Sequence, residues 1–173
     1  MPQPALLVID VQRGLFQKST PIYHAETLLD NILALVSRAQ AASVPVIYVQ
    51  HCEEEGLVKD TEAWQLHPRL APRPTDPLVF KEHGNAFEAT PLQEILTARG
   101  VNRLVLCGLM TPYCVQSTCL GALALGYPVT LAADAHSTNG EQVAKVIKEW
   151  NTKLQAAGAV VMPTAEITFV PAA

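Results

Sequence analysis

Apolar residues along the chain fall into short unbroken runs, separated by longer stretches with helical spacing. Ala5-Leu6-Leu7-Val8-Ile9 is the first run and stops at Asp10. Five apolar residues without alternation are what a strand covered on both faces requires. From about Ala25 to Ala42, Leu28, Leu29, Ile32, Leu35, Val36 and Ala39 recur at three- and four-residue intervals, and Glu26, Asp30, Asn31, Ser37 and Arg38 lie off that stripe. This predicts an amphipathic helix. Ser43-Val44-Pro45 breaks it, and Val46-Ile47-Tyr48-Val49 reads as a second buried strand. Leu78-Val79-Phe80, Leu104-Val105-Leu106-Cys107, Val129-Thr130-Leu131-Ala132 and Ala159-Val160-Val161-Met162 supply four more.

Helices are predicted between these runs. Thr90-Pro91 opens one that Gly100 stops, because a cap residue followed by proline suits a helix start. A second begins at Pro112, with Val115, Thr118, Cys119, Ala122 and Leu123 on one face and Gly126 just past its end. A third, Glu141 to Ala157, turns Val143, Val146, Ile147, Trp150 and Leu154 inward. Six strands alternating with helices predict an α/β fold with a parallel, doubly wound, Rossmann-like sheet between helical layers. No linker or repeat divides the chain, so residues 1–173 are expected to form one domain. The long irregular stretch from His51 to Pro77, acidic at first and then proline-rich around Trp64, is expected to pack over a site or a subunit neighbour.

Composition narrows the function classes. With 49% apolar and 16% charged residues the chain is globular rather than disordered. A net charge of −4 without a basic stripe argues against nucleic acid. No apolar run approaches the ~20 residues of a membrane span. Met1-Pro2-Gln3-Pro4 lacks the pattern of a signal peptide, so a cytoplasmic protein is expected. Cys52, Cys107, Cys114 and Cys119 form neither a C-x-x-C pair nor a zinc spacing. Cys107 and Cys119 read as core residues, and Cys52 is undecided.

Cys114 has a second reading. In Gly108-Leu109-Met110-Thr111-Pro112-Tyr113-Cys114-Val115, Thr111 suits an N-cap and Pro112 the first helical position. Cys114 then falls in the first turn, where the helix dipole lowers a thiol pKa. A lone cysteine is as readily a small buried hydrophobe. In open α/β sheets, however, ligands bind past the C-terminal ends of strands. The residues there are Asp10, His51, Lys81, Cys114 and Asp134. An acid, a cation and a thiol on one sheet edge are what an activated nucleophile needs.

Leu7-Val8-Ile9-Asp10-Val11-Gln12, Lys81 followed by Asn85-Ala86-Phe87, and Gly108 to Val115 together resemble the cysteine hydrolases of the isochorismatase-like superfamily. Val49-Gln50-His51, Trp64-Gln65-Leu66-His67-Pro68 and Asp134-Ala135 extend the resemblance over nearly the whole chain. It implies a three-layer α/β/α sandwich with strand order 3-2-1-4-5-6 and a catalytic triad of Asp10, Lys81 and Cys114. By that likeness Cys114 attacks the carbonyl of a small amide, ureide or carbamoyl compound, Asp10 shuttles the proton and Lys81 holds the charges. It also implies an oxyanion hole from the backbone N–H groups of Met110 and Cys114, and a cis peptide at Leu109-Met110. Relatives are often homodimers or homotetramers, with the 51–77 loop and the helix after Cys114 as natural contact surfaces.

Departures from the family pattern matter as well. Nicotinamidases of the superfamily carry Asp-x-His after the second strand, whereas this chain has Gln50-His51-Cys52. No metal or other cofactor is therefore expected, and the other histidines (His24, His67, His83, His136) are scattered. True isochorismatases generally lack the cysteine. Asn85 stands where many relatives have Ser, which alters a hydrogen bond near Lys81. Phe16, Trp64 and Tyr113 lie beside the triad positions and are the candidate substrate-binding aromatics. The alternative from another class is a thiol redox or ligand-binding protein on the same fold, with Cys114 pairing with Cys119 or Cys107. A flavodoxin-like nucleotide module lacks its glycine-rich loop.

Overall fold

The computed structural model describes Met1 and residues 3–170, so Pro2 and residues 171–173 of the expected domain lie outside the described residues. Strands β1 (Pro4–Ile9), β2 (Val46–His51), β3 (Leu78–Lys81), β4 (Arg103–Leu109), β5 (Val129–Ser137) and β6 (Val160–Met162) form one sheet. Every neighbouring pair is parallel, and the order is β3-β2-β1-β4-β5-β6. The chain builds outward from β1 to β3, then returns past β1 to β4 and builds the other way. The C-terminal ends of β1 and β4 therefore flank the point where the winding reverses, which is where such sheets leave a crevice.

All six residues of β1 are buried. Leu6 and Val8 face one layer and pack with Leu28, Leu29, Ile32 and Leu35 of helix α2 (Ala25–Ala41), which follows the short α1 (Arg13–Phe16). Ala5, Leu7 and Ile9 face the opposite layer, with Leu92 and Leu96 of α3 (Leu92–Ala98), Cys119 and Ala122 of α4 (Gln116–Ala124) and Leu154 of α5 (Val143–Ala156). Two apolar cores, one on each face, leave β1 no position for a polar side chain. The unbroken run in the sequence has that cause. No helix among the described residues is long and apolar enough to cross a membrane.

Several boundaries differ from the sequence reading. Thr90-Pro91 precedes α3 rather than beginning it: Pro91 is the flanking residue, and the Leu92 N–H donates to Thr90 Oγ1 at 3.3 Å. The last helix begins at Val143 instead of Glu141. Strand β5 continues five residues beyond Ala132, to Ser137. Its register against β4 shifts between Leu106 and Gly108, so Ala132 to Ala135 bow outward and His136 rejoins opposite Gly108. Asp134 sits on that bow. Its Oδ1 accepts from the Thr164 N–H and hydroxyl at 2.7 and 2.6 Å. It braces the chain after β6 and takes no part in the crevice.

The 52–77 connection contains no strand or helix, yet it is stapled to the edge of the crevice. Gln12 pairs with Leu66 in an isolated antiparallel bridge. Val11 O accepts from the His67 N–H at 2.8 Å, and the Arg13 and Gly14 N–H groups donate to Gln65 O and Ala63 O at 2.9 and 2.8 Å. The Trp64 carbonyl accepts from both Gln12 Nε2 and Gln50 Nε2.

One glycine is required by the close approach of β1 and β4. Gly108 opposes Ile9 with φ +122°, and a Cβ there would lie 2.1 Å from Ile9 O. No rotamer relieves a clash between a Cβ and backbone. Gly108→Ala is expected to lower the unfolding free energy by at least ~2 kcal/mol, from overpacking and a disfavoured φ together. Urea denaturation measures this, and an unchanged midpoint would contradict the close approach.

Candidate active site

Asp10 is the first residue past β1. It has φ +50°, a left-handed conformation that Asp tolerates better than most side chains. Its N–H donates to Val49 O and its carbonyl accepts from the Gln12 N–H, both at 2.9 Å. The chain thus turns sharply at the strand end and directs the carboxylate into the crevice, with only 2% of the residue exposed.

Lys81 ends β3, two strands away, and its side chain is fully buried. Its Nζ lies 3.0 Å from Asp10 Oδ2 and 3.0 Å from Cys114 Sγ. The same ammonium is 2.9 Å from His51 Nδ1 and donates to His83 O at 3.1 Å. Asp10 Oδ1 is buried with no hydrogen-bonding partner among the described residues, and the carboxylate and the Cys114 thiol lie within 4.8 Å of each other.

Cys114 is held by an unusual turn. Residues Thr111–Val115 form one turn of π-helix that runs directly into α4. Met110 O closes it by accepting from the Tyr113 and Val115 N–H groups at 3.0 and 3.3 Å. The Leu109–Met110 peptide just before it is cis. Thr111 does not cap a helix, contrary to the sequence reading. Its hydroxyl lies 2.9 Å from His136 Nδ1. His136 Nε2 lies 2.8 Å from Asn151 Oδ1, and Asn151 Nδ2 donates to Ala133 O at 3.2 Å. Since Asn Oδ1 can only accept, the imidazole proton is on Nε2 and Nδ1 accepts from Thr111. A buried relay from α5 through β5 therefore fixes the start of the turn that presents the thiol.

The electrostatics also correct the sequence reading. A helix N-terminus was expected to lower the thiol pKa, but Cys114 lies in the turn ahead of α4. Burial and the neighbouring Asp10 carboxylate push the thiol up to about 12, against the pull of Lys81. Burial likewise raises Asp10, with Lys81 opposing it. One ammonium cannot neutralise two anions in so buried a place, so Asp10 and Cys114 share one proton. Both acids are pushed up, each by its burial, and the shared proton belongs to the pair.

These groups line a cavity of about 290 Å³. Leu15, Leu57, Met110 and Tyr113 supply its apolar walls, and Asp10, His51, Glu53, Gly84 and Cys114 its polar floor and rim. A thiol, a carboxylate within proton-transfer range and a cation touching both can form and break a covalent bond to an electrophilic carbon. Asp10, His51 and Cys114 also offer a carboxylate, an imidazole and a thiol within 4.8 Å of one another, a set with metal-ligand chemistry. The cation lying among them is the Lys81 ammonium.

Of the residues singled out from the sequence, Asp10, His51, Lys81, Met110 and Cys114 converge here and Asp134 does not. Among the three aromatics, only Tyr113 lines the cavity. Phe16 packs edge-on against His67 at 4.7 Å, and Leu15 faces inward in its place. Trp64 is 9% exposed, packs against Phe80 with ring centroids 5.1 Å apart and planes inclined at 60°, and donates Nε1–H to Cys52 Sγ. It anchors the loop. Asn85 likewise turns away from Lys81: its Oδ1 accepts from the Phe87 N–H at 3.0 Å, and its amide fills the space left by Gly121. Glu53, Leu57 and Gly84 escaped the sequence reading, because nothing in an irregular stretch signals which residues face inward. All four cysteines are free. Cys107 belongs to the core on the sheet face opposite the one Cys114 packs against, so those two have no direct path to a disulfide.

Three comparisons place this geometry among known proteins. The isochorismatase domain model matches residues 4–166. A streptothricin hydrolase of Streptomyces noursei is 37% identical over 139 residues, covering 79% of this chain and 55% of its own length. The chain spans about half the length of the streptothricin hydrolases it matches. Nicotinamidase 3 of Arabidopsis thaliana is 29% identical over 155 residues, covering 80% of this chain and 75% of its own length. A crystal structure of an isochorismatase family protein superimposes with a TM-score of 0.88 at 32% identity, covering 94% of this chain and 99% of that one.

The His136 relay sets an acid limit on stability. Burial holds this imidazole neutral until about pH 4, against an ordinary value of 6.5. Below pH 6.5 the unfolded chain takes up a proton that the folded chain refuses, so stability falls with pH between about 6.5 and 4. The loss approaches ~3 kcal/mol at the lower end. Urea unfolding at a series of pH values should show this slope, and His136→Gln should make it shallower. An identical slope in the variant would refute the assignment.

Proposed function

The chain belongs to the isochorismatase family of hydrolases, and on that premise we propose that it is a metal-independent cysteine hydrolase of a small amide, ureide or carbamoyl compound. The observation that carries this reading is the single ammonium of Lys81 hydrogen-bonded to both the Cys114 thiol and the Asp10 carboxylate at 3.0 Å, beside a small cavity. Relatives named streptothricin hydrolase and nicotinamidase support amide hydrolysis as the reaction class.

In the proposed sequence, Cys114 Sγ attacks the carbonyl carbon as its proton passes to Asp10. Burial favours the protonated form of Asp10, so it retains that proton until the leaving nitrogen can take it. The tetrahedral oxyanion is received by the Met110 and Cys114 N–H groups. Collapse breaks the C–N bond, and the nitrogen leaves as amine or ammonia with the Asp10 proton. A thioester remains on Cys114. Water then gives one proton to Asp10 and attacks the thioester carbon. The acid departs, and the proton returns to sulfur. Throughout, Lys81 offsets whichever of the two groups is anionic. The small cavity suits a compact substrate, with Tyr113 as its exposed wall. Half-exposed Leu120 on α4 and Leu125 just past its end support a homo-oligomer, to be checked by sedimentation; a monomeric mass at micromolar concentration would remove that part of the proposal.

A screen of small amides, ureides and carbamoyl compounds with ammonia or amine release as readout tests the reaction. Cys114→Ala and Asp10→Asn should each reduce turnover by at least ~10³-fold without unfolding the protein. Turnover unchanged in Cys114→Ala would overturn the proposal. The charge pair separates stability from catalysis. Lys81→Met leaves Asp10 buried and unpaired and should cost about 3–5 kcal/mol. Adding Asp10→Asn should restore much of the stability and none of the activity.

A further inference from the structure

Lys81 has more neighbours than its proposed role requires. An ammonium carries three protons. Two of them serve Asp10 Oδ2 and Cys114 Sγ, and the nearest acceptor for the third is His51 Nδ1 at 2.9 Å. The His83 carbonyl lies slightly farther off, at 3.1 Å. Lys81 cannot accept, so Nδ1 must be the unprotonated nitrogen and the imidazole proton is on Nε2. Nε2 lies 3.3 Å from Glu53 Oε1, the acceptor that this tautomer needs.

The imidazole is also mounted rigidly. His51 is the last residue of β2 and lies opposite Lys81 in the ladder. Both its backbone groups are held by one buried side chain: the His51 N–H donates to Gln12 Oε1 at 2.8 Å, and His51 O accepts from Gln12 Nε2 at 3.0 Å. The charged and titratable groups facing the ring are Lys81, Glu53, His83, Asp10 and Cys114. Burial, then Lys81 and His83, keep it neutral down to about pH 4.

We infer that His51 is a positioning residue that accepts a hydrogen bond from the third N–H of Lys81 and so aims the ammonium between Asp10 and Cys114. Both ring nitrogens are engaged, which leaves neither free to act as a base toward substrate or water. Without an acceptor at Nδ1, the third proton has only the His83 carbonyl, and Nζ is drawn away from sulfur. The thiol then loses the one neighbour that lowers its pKa. The inference rests on the cysteine-hydrolase reading for its kinetic consequence but not for its electrostatic one.

The test exploits where two amides place their oxygen. Asn sets an acceptor near the Nδ1 position, and Gln near the Nε2 position. His51→Asn should keep kcat within about threefold of wild type. His51→Gln should lower it by roughly 10–100-fold, by analogy with the loss on removing the hydrogen-bond partners that orient metal ligands, with KM moved far less. Iodoacetamide alkylation of Cys114, mapped by mass spectrometry across pH, should follow the wild-type profile in His51→Asn and move to higher pH in His51→Gln. Either profile result can be read without any turnover. A screen with no substrate would therefore count against the hydrolase reading alone. If His51→Gln titrates like wild type, or if His51→Asn shifts as far as His51→Gln, the positioning role is overturned.

Discussion

A fully buried ammonium is the constraint to which the rest of this site answers. The Lys81 side chain is fully buried, and a carboxylate, a thiol, an imidazole nitrogen and a carbonyl surround its Nζ within about 3 Å. Each of those acceptors comes from a different segment: the end of β1, the π turn after β4, the end of β2 and the residues just past β3. If any of them shifts, a buried charge is left short of a partner, a penalty of several kcal/mol. The ion cluster therefore ties together strand ends that the cores beneath bring side by side. It also couples their chemistry, because the same cation must balance two acids that share one proton.

Much of the scaffold serves to keep that cluster in register. Gly108 lets β4 press against β1 where Asp10 emerges. The outward bow of β5 returns His136 to the β4 end, and the relay through Thr111 and Asn151 then holds the turn carrying Cys114. Gln12 holds the His51 backbone and, through the Trp64 carbonyl, the loop that brings Glu53 and Leu57 over the cavity. These supports are buried polar networks in which each donor has its acceptor. That is the arrangement needed to hold reacting groups to within a fraction of an ångström.

Some of this was legible along the chain. Apolar runs identified all six strands: the central ones are covered on both faces and exclude polar residues, and the edge strands β3 and β6 keep apolar runs although one face is partly exposed. Residues at strand ends identified Asp10, His51, Lys81 and Cys114, because in a parallel sheet those ends converge. The reading failed where local signals were overridden by distant partners. Thr111-Pro112 has the form of a helix start, but His136, 25 residues on, claims the threonine hydroxyl and a π turn forms instead. Asp134 follows an apolar run as an active-site residue would, yet the strand continues past it and the carboxylate braces Thr164. Trp64 and Phe16 are aromatic and near the motifs, yet they anchor the loop and the α1 corner.

The order of apolar and polar residues by itself determined the fold class, the number of strands and the edge of the sheet on which chemistry could occur. These depend on periodicity and burial, which a linear pattern records. Only the tertiary structure decided which groups share a proton, which tautomer His51 adopts and in which direction the thiol pKa moves. Proximity to a helix start suggested a lowered thiol pKa. Burial beside Asp10 raises it, because desolvation and like charge at close range outweigh the single cation within reach. That balance is set by distances of about 3 Å between residues about 30 to 70 positions apart, and no local pattern encodes it.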